Sequence, residues 1–259
     1  MKKQEHSISD LQVYISRMQK SILDKIFFMD KVFEPFSTVV DFGCADGELI
    51  RTLQALFGEY RYIGYDISED MLSVARENVP TAVFYADWDA IDADFSDALL
   101  NLSSVLHEVY SYGSEEDVAT FWKRVYGSGF KYVAIRDMML SEAEQTGMDA
   151  DQHRLVIANE RYADRLRDYE AVWGKITTQH ALVHYLLKYR YTENWEREVR
   201  ENYVPITVEQ LLATVPEDYE IAYLNHSTLP YIAWQIQRDF GITLTTPTHI
   251  KLILRRKDG

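Results

Sequence analysis

The stretch VVDFGCADGELI, residues 39–50, decides the fold. A short β-branched run, 37–42, is typical of a buried strand, and it passes through Gly43 and Gly47 into a helical pattern over 48–57. A buried strand that turns through glycines into a helix is the first half of a βαβ unit.

Two acidic residues, Asp41 and Asp46, bracket this glycine turn. Dinucleotide-binding folds use a GxGxxG spacing, in which the second glycine lets the backbone approach a pyrophosphate, and that glycine is absent here. Because two carboxylates repel a phosphate, the turn favours a cationic or zwitterionic ligand.

Strands and helices alternate along most of the chain. An amphipathic helix is predicted at about 8–33, further helices at 48–57, 68–78 and 115–126, and strands at 37–42, 61–66, 81–86, 97–104 and 130–138. A later set comprises helices at 207–215 and 231–240 and strands at 219–225 and 248–256. Such alternation predicts an α/β fold, a mostly parallel sheet with helices on both faces.

The alternation is interrupted between 141 and 203, where only helical patterning rich in tyrosine and tryptophan occurs. We therefore expect one α/β core built from residues 1–140 and 204–259, with 141–203 as a helical insertion. The length of 259 residues fits one large domain with such an insertion.

Composition excludes several classes of protein. With 27 Lys+Arg against 41 Asp+Glu the net charge is −14, which opposes binding to a phosphate backbone, so we expect no nucleic-acid partner. The single cysteine, Cys44, allows no internal disulfide, and MKKQEHSISD lacks the apolar region of a signal peptide, so we expect a cytoplasmic protein. No apolar run approaches the roughly 18 residues that a membrane span needs. The sequence does not indicate an oligomeric state.

The glycine turn resembles motif I of the class I S-adenosylmethionine-dependent methyltransferases, an apolar run followed by Asp, any residue, Gly, Cys or Ser, two residues and Gly. This cofactor carries a sulfonium, an ammonium and a carboxylate but no phosphate, which agrees with the acidic side chains. The resemblance implies a Rossmann-like fold in which Gly43, Cys44 and Gly47 wrap the methionine part and Asp41 supports its amino-acid end.

The ends of the next strands extend this resemblance. Asp66, followed by Ile67, stands where the family places an acidic residue that accepts hydrogen bonds from the ribose hydroxyls. Asp87 stands where an acidic residue binds the adenine amine and Trp88 where a side chain packs on the ring, although Asp87 also suits a turn cap. Ser103 is either a cofactor contact or an ordinary polar group at a strand end. Together these residues predict a cofactor crevice at the carboxyl edge of the sheet.

In this family the end of the fourth strand faces the transferred methyl group. His107 is therefore a candidate base, with an unperturbed pKa near 6.5, or else a histidine packed against the cofactor. Glu108 is a second catalytic candidate, or a cap or salt-bridge partner. Arg136 would hold an acceptor carboxylate or phosphate, or pair with an internal Asp. The insertion is expected to form a lid whose aromatics, including Tyr189, contact the acceptor, unless they are plain core.

His180 and His184 share a helical face, but Ala181 stands where the zinc motif of this spacing needs Glu, so no metal is predicted. The resemblance implies transfer of a methyl group from S-adenosylmethionine to an acceptor, which we expect to be a small molecule. The alternatives are an RNA or protein acceptor, and a non-catalytic S-adenosylmethionine-binding subunit.

Overall fold

A seven-stranded sheet forms the centre of the protein in a computed structural model that describes residues 21–191 and 194–257. The strands are β1 (Thr38–Phe42), β2 (Arg61–Tyr65), β3 (Val83–Tyr85), β4 (Ala98–Ser103), β5 (Tyr132–Met138), β6 (Tyr219–Ser227) and β7 (His249–Arg256). Their order in the sheet is β3-β2-β1-β4-β5-β7-β6. β1 to β5 run parallel, whereas β7 is antiparallel to both of its neighbours. The predicted mostly parallel α/β sheet is confirmed.

Helices connect these strands. They are α1 (Ile22–Lys25), α2 (Glu48–Leu56), α3 (Glu69–Asn78), α4 (Leu106–Tyr112), α5 (Glu115–Gly127), α6 (Ala150–Ile157), α7 (Ala163–Trp173), α8 (Gln179–Lys188), α9 (Trp195–Glu198), α10 (Val208–Ala213) and α11 (Pro230–Phe240). Side-chain caps fix several of the starts: Ser68 accepts a hydrogen bond from the backbone of Met71, and Ser114 with Asp117 forms a capping box. Across the described ranges, no helix combines the length and the apolar character that a membrane crossing requires.

The helix predicted at about 8–33 is not continuous. Residues 8–20 lie outside the described ranges. Beyond them, α1 lasts four residues and a 3-10 turn, Phe27–Asp30, follows. Ile26, Phe27 and Phe28 are all buried against the sheet. Three consecutive residues of an α-helix spread over about 200° of its circumference, so one helical face cannot bury them all.

Both faces of the sheet are covered. Neighbouring residues of a strand point to opposite faces, and in β1 Val40 belongs to the cluster that contains Phe121 of α5, whereas Val39 belongs to the cluster that contains Leu53 of α2. All four side chains are buried.

A third cluster is formed by buried residues of helices and loops. It joins α8, through Tyr185 and Leu186, to α11, through Ile236 and Phe240. The chain between β5 and α10 therefore shares one apolar core with a helix that follows it in sequence.

The strand order reverses between β1 and β4, which are neighbours in the sheet although two strands separate them in sequence. Asp41 and Asn101 lie side by side in the register of this pair, close to the carboxyl ends of both strands. In open α/β sheets the ligand crevice forms outside such a switch point.

Candidate functional site

The loop after β1 has an unusual backbone. Gly43 and Gly47 have φ of +73° and +76°, and Ala45 between them also has a positive φ, +47°. The backbone N–H groups of Gly43 and Cys44 both donate to the carbonyl of Tyr65, at 2.7 and 3.0 Å. A Cβ at Gly43 would lie 3.0 Å from the side chain of Val105. Glycine therefore lets the loop fold closely over the ends of β1 and β2.

Asp66, directly after β2, holds this loop. Its Oδ2 accepts a hydrogen bond from the backbone of Ala45 and its Oδ1 accepts one from the backbone of Ser68, both at 2.9 Å. Asp66 therefore ties the glycine loop to the start of α3. The next residue, Ile67, exposes about half of its surface (52%) beside the loop. Cys44 is buried, and burial raises the pKa of its thiol, so it acts in packing.

Asp41 lies beneath the loop and is buried. Its Oδ1 accepts a hydrogen bond of 2.7 Å from the side-chain amide of Asn101. Burial raises the pKa of Asp41 to about 7, against the hydrogen bond from Asn101 and the charge of Lys25. Burial, with the charge of Arg136, lowers the pKa of Lys25 to about 8. The sequence gives no indication of Lys25, which lies on α1 and approaches β1 only in the folded protein.

The end of β3 differs from the prediction. The Asp87 side chain accepts a hydrogen bond from the backbone of Asp89 at 3.1 Å, which is the turn-cap alternative. Trp88 does not project from the crevice to pack on a ligand ring. It is buried, with its ring centroid 5.3 Å from that of Tyr65 and 5.4 Å from that of Phe42. The indole of Trp88 therefore packs in the aromatic cluster on this face of the sheet.

A cavity of about 510 Å³ opens at the carboxyl ends of β1, β4 and β5. It brings together five of the predicted residues, namely Gly43, Ser103, His107, Glu108 and Arg136. Within the described ranges the buried hydroxyl of Ser103 has no hydrogen-bond partner, which leaves it available to a ligand. Other walls come from α1, from the chain around α9 and from the start of α11.

His107, on α4, is held by two carboxylates. Its Nδ1 lies 2.7 Å from Oδ1 of Asp137, and its backbone N–H donates to Oδ2 of the same residue at 3.2 Å. Its Nε2 lies 3.4 Å from Oε1 of Glu201. Burial favours the neutral ring, but the charges and hydrogen bonds of Asp137 and Glu201 outweigh burial and hold the pKa of His107 well above 6.5.

Glu201 follows α9 and reaches His107 because a buried lysine fixes its segment. The ammonium of Lys188 donates to the carbonyls of Glu198, at 2.5 Å, and of Glu201, and it lies 3.8 Å from the ring centre of Tyr203. Burial lowers the pKa of Lys188 to about 7.

His107, Glu108 and Glu201 offer ligand atoms that all lie within 4.8 Å of one another, a spacing that suits a metal ion. A cationic group already lies there. Arg197 has its Nη2 atom 3.5 Å from Oε1 of Glu108 and 3.9 Å from Oε2 of Glu201. Glu108 is therefore a salt-bridge partner, which is one of the roles that the sequence predicted for it.

Arg136, at the end of β5, has internal partners. Its Nε lies 2.7 Å from Oδ2 of Asp24, and its Nη1 donates to the hydroxyl of Ser104 at 3.0 Å. Lys251 forms a second ion pair with Asp24. Arg136 therefore lines the cavity while it is paired with an internal Asp, which is the second of the two roles that the sequence predicted for it.

Tyr189 does not line the cavity. It is fully buried in the third cluster, where its hydroxyl donates to Oδ2 of Asp239 at 2.9 Å and its ring packs against Phe240. The predicted contact between Tyr189 and the acceptor is therefore wrong, and Tyr189 is a core residue. His180 and His184 have separate partners, because His180 Nε2 lies 3.2 Å from the carbonyl of Val204 whereas His184 Nδ1 lies 3.1 Å from the hydroxyl of Tyr169.

Comparisons with known proteins agree with this fold. Residues 39–128 match a family model described as a methyltransferase domain. No curated protein matches the chain. Among solved structures, the plantazolicin methyltransferase BamL, in complex with a triazolic desmethylPZN analog and SAH, is similar with a TM-score of 0.56 at 11% identity, covering 96% of this chain and 91% of that one.

Two further structures share the fold. The pyocyanin biosynthetic protein PhzM has a TM-score of 0.55 at 12% identity, covering 94% of this chain and 57% of that one. The MccD protein has a TM-score of 0.50 at 13% identity, covering 92% and 97%. The matched domain, which contains the glycine loop, and the fold shared with these structures support the resemblance to the class I S-adenosylmethionine-dependent methyltransferases.

Proposed function

We propose that the chain methylates a small-molecule acceptor bound in the 510 Å³ cavity, with His107 accepting the acceptor's proton. The observation that carries this proposal is that one cavity touches both the glycine loop, at Gly43 and Ala45, and the buried pair of His107 with Asp137. Cavities of about 300–1,000 Å³ are of the size that binds small ligands.

The residues at the switch point fit the cofactor. Glycine at position 43 lets the loop lie close over the strand ends, Asp66 is a carboxylate at the end of β2 where we assign the ribose hydroxyls, and Asp41 with Lys25 supplies opposite charges near an amino-acid group. S-adenosylmethionine supplies, when bound, a methyl group on a sulfonium that is already activated for displacement. The protein's task is therefore to orient the acceptor and to remove its proton.

His107 suits proton removal because Asp137 fixes its ring. With Nδ1–H donated to Asp137, the neutral ring presents the Nε2 lone pair to the cavity. In the charged form Nε2 carries a proton and faces Glu201. We therefore assign the reactive form to the neutral imidazole, which takes the acceptor's proton as the new bond to the methyl carbon forms and the bond from that carbon to sulfur breaks.

The chain between β5 and α10 acts in this proposal as the roof of the acceptor site. Arg190, Tyr191 and Glu201 come from it and line the cavity. BamL was solved with a desmethylPZN analog and PhzM is a pyocyanin biosynthetic protein, which supports a small natural product as the acceptor class. The net charge of −14 disfavours RNA in the same role.

The test is to incubate the protein with labelled S-adenosylmethionine and a metabolite extract. The measurements are transfer of the label to components of the extract and formation of S-adenosylhomocysteine. We expect turnover that falls about 10²- to 10⁴-fold in His107→Gln, with unchanged affinity for S-adenosylhomocysteine. His153→Gln, on α6 and outside the cavity, is the matched control. Tight binding without turnover in extracts, RNA and protein contradicts an enzyme, and transfer only to RNA or protein contradicts a small acceptor.

A further inference from the structure

Arg190 differs from the other arginines of the cavity. It follows α8, is half-buried, and its Nη1 and Nη2 atoms donate to the side chains of Gln235, at 3.1 Å, and Tyr191, at 3.2 Å. Neither partner is a carboxylate. In the described part of the chain no carboxylate lies within ion-pair distance of Arg190, whereas Arg136 and Arg197 have carboxylate partners.

The surroundings of Arg190 are also rich in positive charge. Arg136 and Lys251 share a single carboxylate, that of Asp24. His249 is buried at the start of β7, and its pKa is lowered well below 6.5 by burial and then by the charges of Arg136 and Arg190. Arg136, Arg190 and His249 therefore line one part of the cavity, where Asp24 is already shared by two cations.

A charge that is partly removed from water without a counter-ion is costly, and a bound anion offsets that cost. Guanidinium has five N–H donors, and the contacts to Gln235 and Tyr191 use two of them. The remaining donors suit an oxygen anion, which arginine binds in a fork.

We propose that Arg190 binds an oxyanion on the acceptor, a carboxylate or a phosphate, and so selects anionic acceptors; this rests on the proposed function. The charge of Arg190 reaches His249 on β7, which lies two strands beyond β4 in the sheet, whereas the glycine loop follows β1 on the other side of β4. The oxyanion therefore belongs to the acceptor and not to the cofactor.

The experiment is calorimetric titration of the full chain, saturated with S-adenosylhomocysteine, with benzoate, phenyl phosphate and the neutral benzamide. We expect at least one anion to bind about tenfold or more tightly than benzamide, and the better anion identifies the preferred group. Arg190→Gln should lose that preference and keep its affinity for S-adenosylhomocysteine within about twofold. Arg190→Lys, which keeps the charge but not the fork, should lie between them. Arg200→Gln, an exposed arginine outside the cavity, should match the wild type.

Three results overturn the subsite: equal affinity for benzoate, phenyl phosphate and benzamide, no anion binding up to about 10 mM, or anion binding that survives in Arg190→Gln. Weaker binding of S-adenosylhomocysteine by Arg190→Gln would instead assign the guanidinium to the cofactor. Because this titration needs no turnover, Arg190-dependent anion binding in a protein that never transfers a methyl group would refute the proposed function and leave the subsite standing. Turnover of neutral acceptors without any preference for anions would refute the subsite and leave the proposed function standing.

Discussion

At His107, two carboxylates rather than one set the charge of the ring. Asp137 contacts Nδ1 and Glu201 faces Nε2, and together they raise the pKa of His107 above 6.5. A base must be neutral to act, so we expect the rate to rise with pH through this raised pKa. The same shift stabilises the fold fully at pH values below about 6.5, the unfolded pKa, and this contribution is lost as the pH rises through the folded pKa.

The substitution Glu201→Gln separates the two carboxylates. It removes one negative charge beside Nε2 and leaves Asp137 in place, so the pKa of His107 should fall and the rising limb of kcat/KM should move to lower pH. The measurement is the pH profile of kcat/KM between about 5.5 and 9. Glu196→Gln, an exposed neighbour in the same helix as Glu198, should leave the limb in place. A limb that stays in place in Glu201→Gln contradicts the role of Glu201.

Asp66→Ala tests the cofactor side of the site. The change removes the oxygens that hold the backbone of Ala45 and that we assign to the ribose hydroxyls, so affinity for S-adenosylhomocysteine should fall about 10- to 100-fold by calorimetry. Asp70→Ala, in the first turn of α3, alters an exposed carboxylate nearby and should not change the affinity. Unchanged affinity in Asp66→Ala would place the nucleoside elsewhere.

Sequence reasoning reached the residues whose position follows from strand ends. Asp41, Asp66 and His107 each lie at or just after the carboxyl end of a predicted strand, where a parallel sheet directs its ligands. It did not find Glu201 or Arg190, because their contacts depend on how the helices between β5 and α10 pack. It also did not find Asp137, which is the carboxylate partner of His107.

At the scale of the element, β2 shows how closely the glycine loop is packed on the sheet. Gly64, within β2, leaves room for the ring of Phe84 and the thiol of Cys44: a Cβ there would lie 2.5 Å from Phe84 Cδ1 and 2.8 Å from Cys44 Sγ. β2 is paired on both sides, with β1 and β3, so its backbone cannot shift to make room.

Gly64→Ala should therefore destabilise the protein by about 1–3 kcal/mol, as overpacking does in a filled core. Gly127→Ala is the matched control, because Gly127 ends α5 with no atom within 4 Å of the added Cβ, and it should stabilise by about 0.4–1 kcal/mol. Urea unfolding measures both. Equal stability of the two variants would mean that the loop yields to the added methyl group.

Elements were predictable where local pattern and tertiary packing agree. The strands and the helices capped by Ser68 and Ser114 follow from alternation and from capping residues, both of which are local. The helix at about 8–33 failed at Ile26 to Phe28, where burial of three consecutive side chains on the sheet overrides a helical periodicity. The expected position of Trp88 beside the cofactor ring was not met either, because its side chain packs in an aromatic cluster and not in the crevice.

At the scale of the whole molecule, strand ends of the sheet and residues of the third cluster both line the cavity. In the proposed function, the packing of this cluster determines how readily the roof of the acceptor site opens. Eight residues of α8 are buried, from Gln179 to Lys188, and Tyr185 and Leu186 pack in one cluster with α11. A loosely attached lid would open at a low free energy, whereas a segment that shares the core should open only when the protein unfolds. We therefore expect native-state hydrogen exchange to protect the amides of α8 as strongly as those of β4, and those of the largely exposed α6 much less. Saturating S-adenosylhomocysteine should slow exchange in α8 and β4 by the same factor, because both report global unfolding. Exchange of α8 at a free energy well below that of β4 would instead make the roof a separately opening lid.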